Sequence, residues 1–258
     1  MMEYIEFILL GILQGITEFF PVSSSGHLLI GMKLFNIKEH GIIIEIFLHL
    51  GTLLSIIAFW YKDIKYEFNN FISGNRTYFY SIIIGTFPAA IIGLIFKTYI
   101  DETFFNIDSI SYLSFNYLVL AIIIFASKFF MNGSTIKITY KYALLIGIVQ
   151  AFAIMPGLSR SGLTIVMGLL VGLNFKTSLK FSFMLAIPIL TFASFSLIFN
   201  YSIFDSMNIN FLLLCGIISS FISGYFILIL LQKILMNNKF WYFSFYCLIL
   251  SLGLFYVQ

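Results

Sequence analysis

The sequence predicts an all-α integral membrane protein built from two inverted repeats, with about six full transmembrane helices and two re-entrant helix hairpins. Three observations lead there. Of 258 residues, 60% are hydrophobic and only 10% charged, and a mean hydropathy of +1.03 means more apolar surface than a soluble globule can enclose. Six stretches, about 42–61, 78–97, 112–130, 178–200, 211–232 and 240–258, are each near the length a bilayer-crossing helix needs. One phrase is written twice: Gly11, Gln14, Ser23, Ser25 and Gly26 recur as Gly147, Gln150, Ser159, Ser161 and Gly162, each pair 136 positions apart, which marks a duplicated unit.

The elements follow in order. The first copy runs from an apolar segment at about 5–20, through Pro21, into a second at about 23–35; the second copy does the same at about 141–155 and 161–173 around Pro156-Gly157. These segments are short and broken by proline, as in paired half-helices that enter and leave the membrane on one side. Each hairpin is expected to expose a fresh helix N-terminus at its Ser-x-Ser-Gly, an end whose N–H groups suit an anion. The chain divides into a first repeat over about 1–130 and a second over about 137–258 of a single membrane domain, 1–258. Loop charges orient it. Lys62, Lys65 and Arg76, then Lys128, Lys137 and Lys141, then Lys233 and Lys239 mark cytoplasmic loops, whereas Asp101, Glu102, Asp108 and Asp205 fill loops without basic residues. On that count the Ser23 hairpin enters from outside and the Ser159 hairpin from the cytoplasm, with Lys33 and Lys38 falling outside against the bias.

Several classes are excluded or disfavoured. A net charge of +3 is small and scattered, with no basic cluster to suggest nucleic acid. Cys215 and Cys247 lie in apolar segments at no metal-binding spacing, so neither a disulfide nor a zinc site is expected. The amino terminus carries Glu3 and Glu6 and no basic residue ahead of its apolar stretch, unlike a cleaved signal peptide, and is expected to remain.

The chemistry concentrates in the two copies. Arg160 places a guanidinium in an apolar half, where it needs an anionic partner, either a bound phosphate or carboxylate or an internal one such as Glu18 or Glu45. Glu18 precedes the first turn, with Gln14 one helical turn earlier on the same face; this carboxylate can pair with Arg160, hold a divalent metal, or serve structurally. Glu45 and His49, also four apart, form a second intramembrane pair that supports the site or simply joins helices. Ser24 and His27 begin a half-helix close enough for the imidazole to act on the hydroxyl or on whatever binds there. Ser23, Ser25, Ser159 and Ser161 are natural helix caps. Ser24 stands out because its partner under the repeat is Arg160: one copy presents a hydroxyl where the other presents a cation. A serine, a histidine, a carboxylate and an arginine around two anion-binding helix ends suit phosphoryl transfer, and the half-buried setting implies a lipid-borne phosphate.

The run from Gln14 through Glu18, Pro21 and Ser23-Ser24-Ser25-Gly26-His27, together with Pro156-Gly157-Leu158-Ser159-Arg160-Ser161-Gly162, resembles the two signature motifs of the bacterial undecaprenyl-diphosphatase family, the bacitracin-resistance membrane phosphatases. Glu45 to His49, Pro88-Ala89-Ala90 and Ile222-Ser223-Gly224-Tyr225 extend the likeness through the chain. The resemblance implies removal of the terminal phosphate of undecaprenyl diphosphate, recycling the lipid carrier of peptidoglycan synthesis, in the bacterial inner membrane with the site facing the periplasm. It also implies a divalent cation, Mg2+ or Ca2+, with Glu18 among its ligands; this chain has Gln14 where the family often has Glu. By the same carry-over Ser24 is the nucleophile, His27 a proton-transfer partner, Glu18 a catalytic carboxylate and Arg160 the phosphate clamp. Ser23, Ser25, Gly26, Ser159, Ser161, Gly162 and Thr164 would line the phosphate site, with Gln14, Glu45 and His49 behind it. Expected partners are the polyprenyl diphosphate substrate and membrane lipids, and a homodimer is compatible with the sequence. The rival is a polyprenyl-phosphate transporter or flippase, since broken inverted repeats also serve alternating access. A purely structural subunit would leave Arg160, Glu18 and His27 without purpose.

Overall fold

The computed structural model describes residues 2–37, 41–96, 103, 111–198, 210–235 and 239–257. Lys38, Asp101, Glu102, Asp108 and Asp205, on which the charge count leans, lie outside them. Among the described residues the chain is all-helical, with no strand beyond one isolated bridge between Thr135 and Leu173. The first half comprises α1 (Met2–Phe19), α2 (Ser24–Leu34), α3 (Gly41–Phe59), α4 (Tyr61–Ile72), α5 (Thr77–Ile95) and α6 (Ser111–Ala126). The second comprises α7 (Tyr140–Phe152), α8 (Arg160–Leu170), α9 (Phe175–Ile198), α10 (Asn210–Leu235) and α11 (Phe243–Val257).

Four helical stretches are long and apolar enough to cross a membrane: Thr77–Ile95, Tyr112–Phe130, Phe175–Phe195 and Phe211–Gln232. They coincide with four of the six expected spans. The expected span at 42–61 is α3, which breaks at Trp60 and turns by 72° into α4. The last expected span, about 240–258, is helical from Phe240 to Val257, a 3-10 turn at Phe240–Tyr242 running into α11, and its apolar stretch Phe240–Tyr256 is shorter than the four spans above.

Helix α4 lies where the sequence suggested a charged loop. It has no buried residue, and Tyr61, Tyr66, Phe68 and Ile72 are exposed beside its charges, the composition of an interfacial helix. Lys180 of α9 ties it down, reaching Asp63 at 2.8 Å and Glu67 at 3.3 Å.

The 136-residue offset reappears in the helix limits: α2 and α8 are both eleven residues long and start at Ser24 and Arg160. The two halves interlock. Helix α1 packs on α10 of the other half, and its counterpart α7 packs on α5 of the first. Small residues allow both approaches. A Cβ on Gly11 would lie 2.0 Å from the Ser219 hydroxyl, and one on Gly147 would lie 2.3 Å from the Gly85 carbonyl oxygen. Helices α3 and α9 pack together between these pairs, and α6 packs on α11. The half-helices α2 and α8 run inside this frame, so Leu28, Leu29 and Met32, like Ile165 and Val166, are buried.

Candidate active site

Both serine turns close in the same way. Ser23 caps α2 by accepting from the Gly26 N–H, and Ser159 caps α8 by accepting from the Gly162 N–H. Their hydroxyls lie 3.2 and 3.1 Å from those of Ser25 and Ser161. The caps take the third N–H of each helix. The N–H groups of Ser24 and Ser25, and of Arg160 and Ser161, remain in the first turns, where a helix has no internal acceptor. The turns also touch each other. The Gly157 N–H donates to the Ser23 hydroxyl at 2.9 Å, and the Ser161 hydroxyl donates to the Phe20 carbonyl at 3.3 Å. Two helix N-termini thus meet at one place, each with a positive dipole end.

Glu18, near the end of α1, is the hub between them. One carboxylate oxygen pairs with Arg160 Nη2. The other accepts the Ser24 hydroxyl at 2.6 Å and the Gln14 amide at 3.1 Å, and lies 3.6 Å from His49 Nε2. Gln14 also sits 3.1 Å from His49 Nδ1, so α1 and α3 hold the carboxylate from two sides. A buried carboxylate and a half-buried guanidinium offset each other's charge here, which is what lets both stand beside an apolar surround.

These groups open on a cavity of about 350 Å3. Its polar wall carries Glu18, Ser23, Ser24, Ser25, Glu45, His49, Gln150, Ser159, Arg160 and Ser161. Its apolar wall comes from Ala89, Ala90, Gly93 and Leu94 of α5, from Ile154, and from Ile189, Leu190, Phe192 and Ala193 of α9. Pro88 and Pro188 lie inside those two wall helices, each removing a backbone N–H and freeing a carbonyl.

The structure therefore brings Glu18, Ser24, Arg160, Glu45, His49, the two capping serines Ser23 and Ser159, and Ser25 and Ser161, which lie in the first turns and are not caps, to one cavity. It does not bring His27 there. That ring is buried with Nδ1 2.7 Å from the Ser23 carbonyl and 2.9 Å from the Tyr117 hydroxyl, and Nε2 2.8 Å from the Tyr246 hydroxyl. Gly26, Gly162 and Thr164 also stand outside the lining. A Cβ on Gly26 would lie 2.5 Å from the Tyr117 hydroxyl, and one on Gly162 would lie 3.3 Å from both Leu120 and Pro21, so close packing accounts for these glycines. Thr164 donates to the Arg160 carbonyl at 2.8 Å and meets the Ser182 hydroxyl at 2.6 Å, locking the first turn of α8 to α9. Gln14 is buried behind Glu18 rather than facing the cavity. Gln150, which lines the cavity, is a residue that only its pairing with Gln14 under the repeat signals in the sequence; its amide donates to the Gly85 carbonyl at 3.1 Å.

The donor set does not fit a resident divalent ion. Arg160, Ser24 and Gln14 already engage both oxygens of Glu18, and among the described residues no three His, Cys, Asp or Glu side chains group as a metal site. A carboxylate, a hydroxyl bonded to it, a guanidinium and converging helix ends are instead equipped to hold and attack a phosphate.

Comparison with known proteins agrees. Residues 7–253 match the family described as bacitracin resistance protein BacA. The chain is 38% identical over 257 residues to an undecaprenyl-diphosphatase of Thermosipho africanus, covering 97% of this chain and 98% of that protein. It is 38% identical over 248 residues to the undecaprenyl-diphosphatase of Thermosipho melanesiensis, covering 95% and 96%. Against that of Methanosphaera stadtmanae it is 34% identical over 273 residues, covering 98% and 97%. With the match running from α1 into α11 and through both serine turns, the chain belongs to the bacitracin resistance protein BacA family.

Proposed function

We infer that this chain is a membrane phosphatase that hydrolyses undecaprenyl diphosphate to undecaprenyl phosphate and inorganic phosphate. The observation that carries the reading is the Ser24 hydroxyl donating to Glu18 while Glu18 pairs with Arg160, at the polar wall of a cavity whose other wall is apolar. A terminal phosphate entering the cavity competes with Glu18 for the guanidinium and draws Arg160 onto its oxygens, with the first-turn N–H groups of α2 and α8 behind them. Glu18, released from that pair, takes the Ser24 proton. The Ser24 oxygen then bonds to the terminal phosphorus as the bridging P–O bond breaks, and undecaprenyl phosphate leaves with the electron pair. Water then attacks the phosphoserine, giving inorganic phosphate and returning the proton to Ser24. The divalent cation would travel with the diphosphate, because Mg2+ is commonly held by substrate phosphates and few protein carboxylates. Purified protein in detergent, where there is no compartment to transport into, should release phosphate from the lipid diphosphate. Lipid binding without release would instead favour the transporter.

The apolar wall suits the polyprenyl chain. Gly93 is the place to test it, since among the described residues a Cβ there would meet Ile154 alone, at 3.9 Å. Gly93→Trp should fill that wall without disturbing the polar one. Displacing two or more methylene-sized groups, at roughly 0.8 kcal/mol each, should raise KM for undecaprenyl diphosphate about tenfold or more. A short-chain isoprenyl diphosphate should be hydrolysed as before. Equal effects on both substrates would remove the lipid chain from this wall.

We also propose that the two halves are inverted in the membrane and that the site faces the outer side of the inner membrane. The basic loops support this orientation. In a background lacking Cys215 and Cys247, Lys65→Cys and Lys137→Cys should resist an impermeant thiol reagent in intact cells, while Asp101→Cys and Asp205→Cys should react. The reverse pattern would turn the molecule over.

A further inference from the structure

We propose that Asn116 and Tyr117, neighbours on α6, are positioning residues that brace the two serine turns against each other and hold Ser23 in the backbone conformation from which Ser24 meets Glu18. The inference rests on the phosphatase reading for its kinetic consequence and on geometry for the rest.

The two turns share a sequence and a capping pattern, yet their backbones differ. Ser159 is extended, with φ −65° and ψ 119°, whereas Ser23 has φ 63° and ψ 98°. A non-glycine residue at positive φ is strained and persists only where its surroundings impose it. Here they do. The Ser23 carbonyl accepts from His27 Nδ1 at 2.7 Å and from the Tyr117 hydroxyl at 3.4 Å. A carbonyl only accepts, so Nδ1 carries the imidazole proton and Nε2 accepts from Tyr246. The imidazole is thereby fixed as a strut between α2, α6 and α11, with no bond to Ser24.

Asn116 does for the second turn what Tyr117 does for the first. Its amide donates to the Pro156 carbonyl at 2.7 Å. Next to that carbonyl, Gly157 has φ +90°, and a Cβ there would lie 2.7 Å from Asn116 Cβ. The Gly157 N–H then reaches back to the Ser23 hydroxyl at 2.9 Å. A closed circuit results: α6 to Pro156-Gly157, Gly157 to Ser23, and Ser23 through His27 and Tyr117 back to α6. Both α6 side chains are buried, Tyr117 fully. Ser24 follows Ser23 directly, so the φ of Ser23 sets where its hydroxyl lies relative to Glu18.

The test uses the full-length purified chain. Tyr117→Phe removes one oxygen and keeps the ring's packing; Asn116→Leu removes the donor at similar volume. Each should lower kcat about ten- to a hundredfold, the scale of a small misplacement of a reacting group, with KM for undecaprenyl diphosphate within about twofold and little change in thermal unfolding midpoint. Hydrogen exchange should rise together in peptides covering residues 20–30 and 153–162 in either variant, because the circuit joins them. The double variant should lose less than the product of the single losses. An unchanged kcat would overturn the proposal, as would a loss explained by less folded protein or exchange confined to one turn. If the unsubstituted chain releases no phosphate while exchange still rises in both turns, the brace stands and the phosphatase reading falls.

Discussion

Ser24→Ala should reduce phosphate release by at least about a thousandfold, because losing a nucleophile leaves only binding and charge stabilisation to act. The protein should stay folded: Ser24 is only half-buried, and among the described residues its hydroxyl bonds to Glu18 alone. Substrate should still bind, since Arg160 and the helix ends are untouched. Ser25→Ala provides the control. Among the described residues its hydroxyl meets that of the capping Ser23 alone, so its removal should cost at most about 1 kcal/mol of stability, the net worth of one hydrogen bond, and little turnover. Trapping of labelled phosphate on the chain after acid quench should be seen in the unsubstituted protein and be absent from Ser24→Ala. Retained turnover in Ser24→Ala would pass the attack to a water molecule, with Glu18 as its base.

Much of this site was legible in the sequence because it is local or repeated. The 136-residue offset located both turns, the caps and the opposition of Ser24 and Arg160. Helical spacing put Gln14 on the face of Glu18 and set Glu45 and His49 on one cavity wall, although the His49 ring turns to Glu18 and Gln14 and meets Glu45 only at its backbone carbonyl. What spacing could not supply was direction. Ser24 and His27 are three apart on a half-helix buried on nearly every side, so proximity along the chain did not decide which way the imidazole pointed; tyrosines 90 and 219 residues away along the chain did. Asn116, Tyr117 and Tyr246 read as ordinary members of apolar spans. Gly26 looked like a phosphate contact because it sits in a Ser-Gly motif, yet the space its side chain would take belongs to Tyr117. The break at Trp60 has neither proline nor glycine to announce it, and α4 carries the charges of a loop because Lys180 pairs with them from α9.

The second large effect is expected at the Glu18–Arg160 ion pair and has two separable parts. Glu18→Gln removes the proposed base, worth roughly a hundred- to ten-thousandfold in turnover, and leaves Arg160 without its anion. Stranding a fully buried charge costs about 3–5 kcal/mol; Arg160 is half-buried at the cavity wall, so the variant should be less stable to heat or denaturant by less than that. Arg160→Gln strands the carboxylate instead and should be destabilised to a comparable degree, while Arg160→Lys keeps the charge, loses the planar fork, and should turn over about a hundredfold more slowly. The double variant Glu18→Gln with Arg160→Gln separates folding from chemistry. With both charges gone, neither is left uncompensated, and stability should return towards that of the unsubstituted chain although activity stays lost. If the double variant were as unstable as the sum of the single ones, the two side chains would be contributing independently to the fold. The Glu18–Arg160 bond would then not be the neutral resting pair that an incoming phosphate opens.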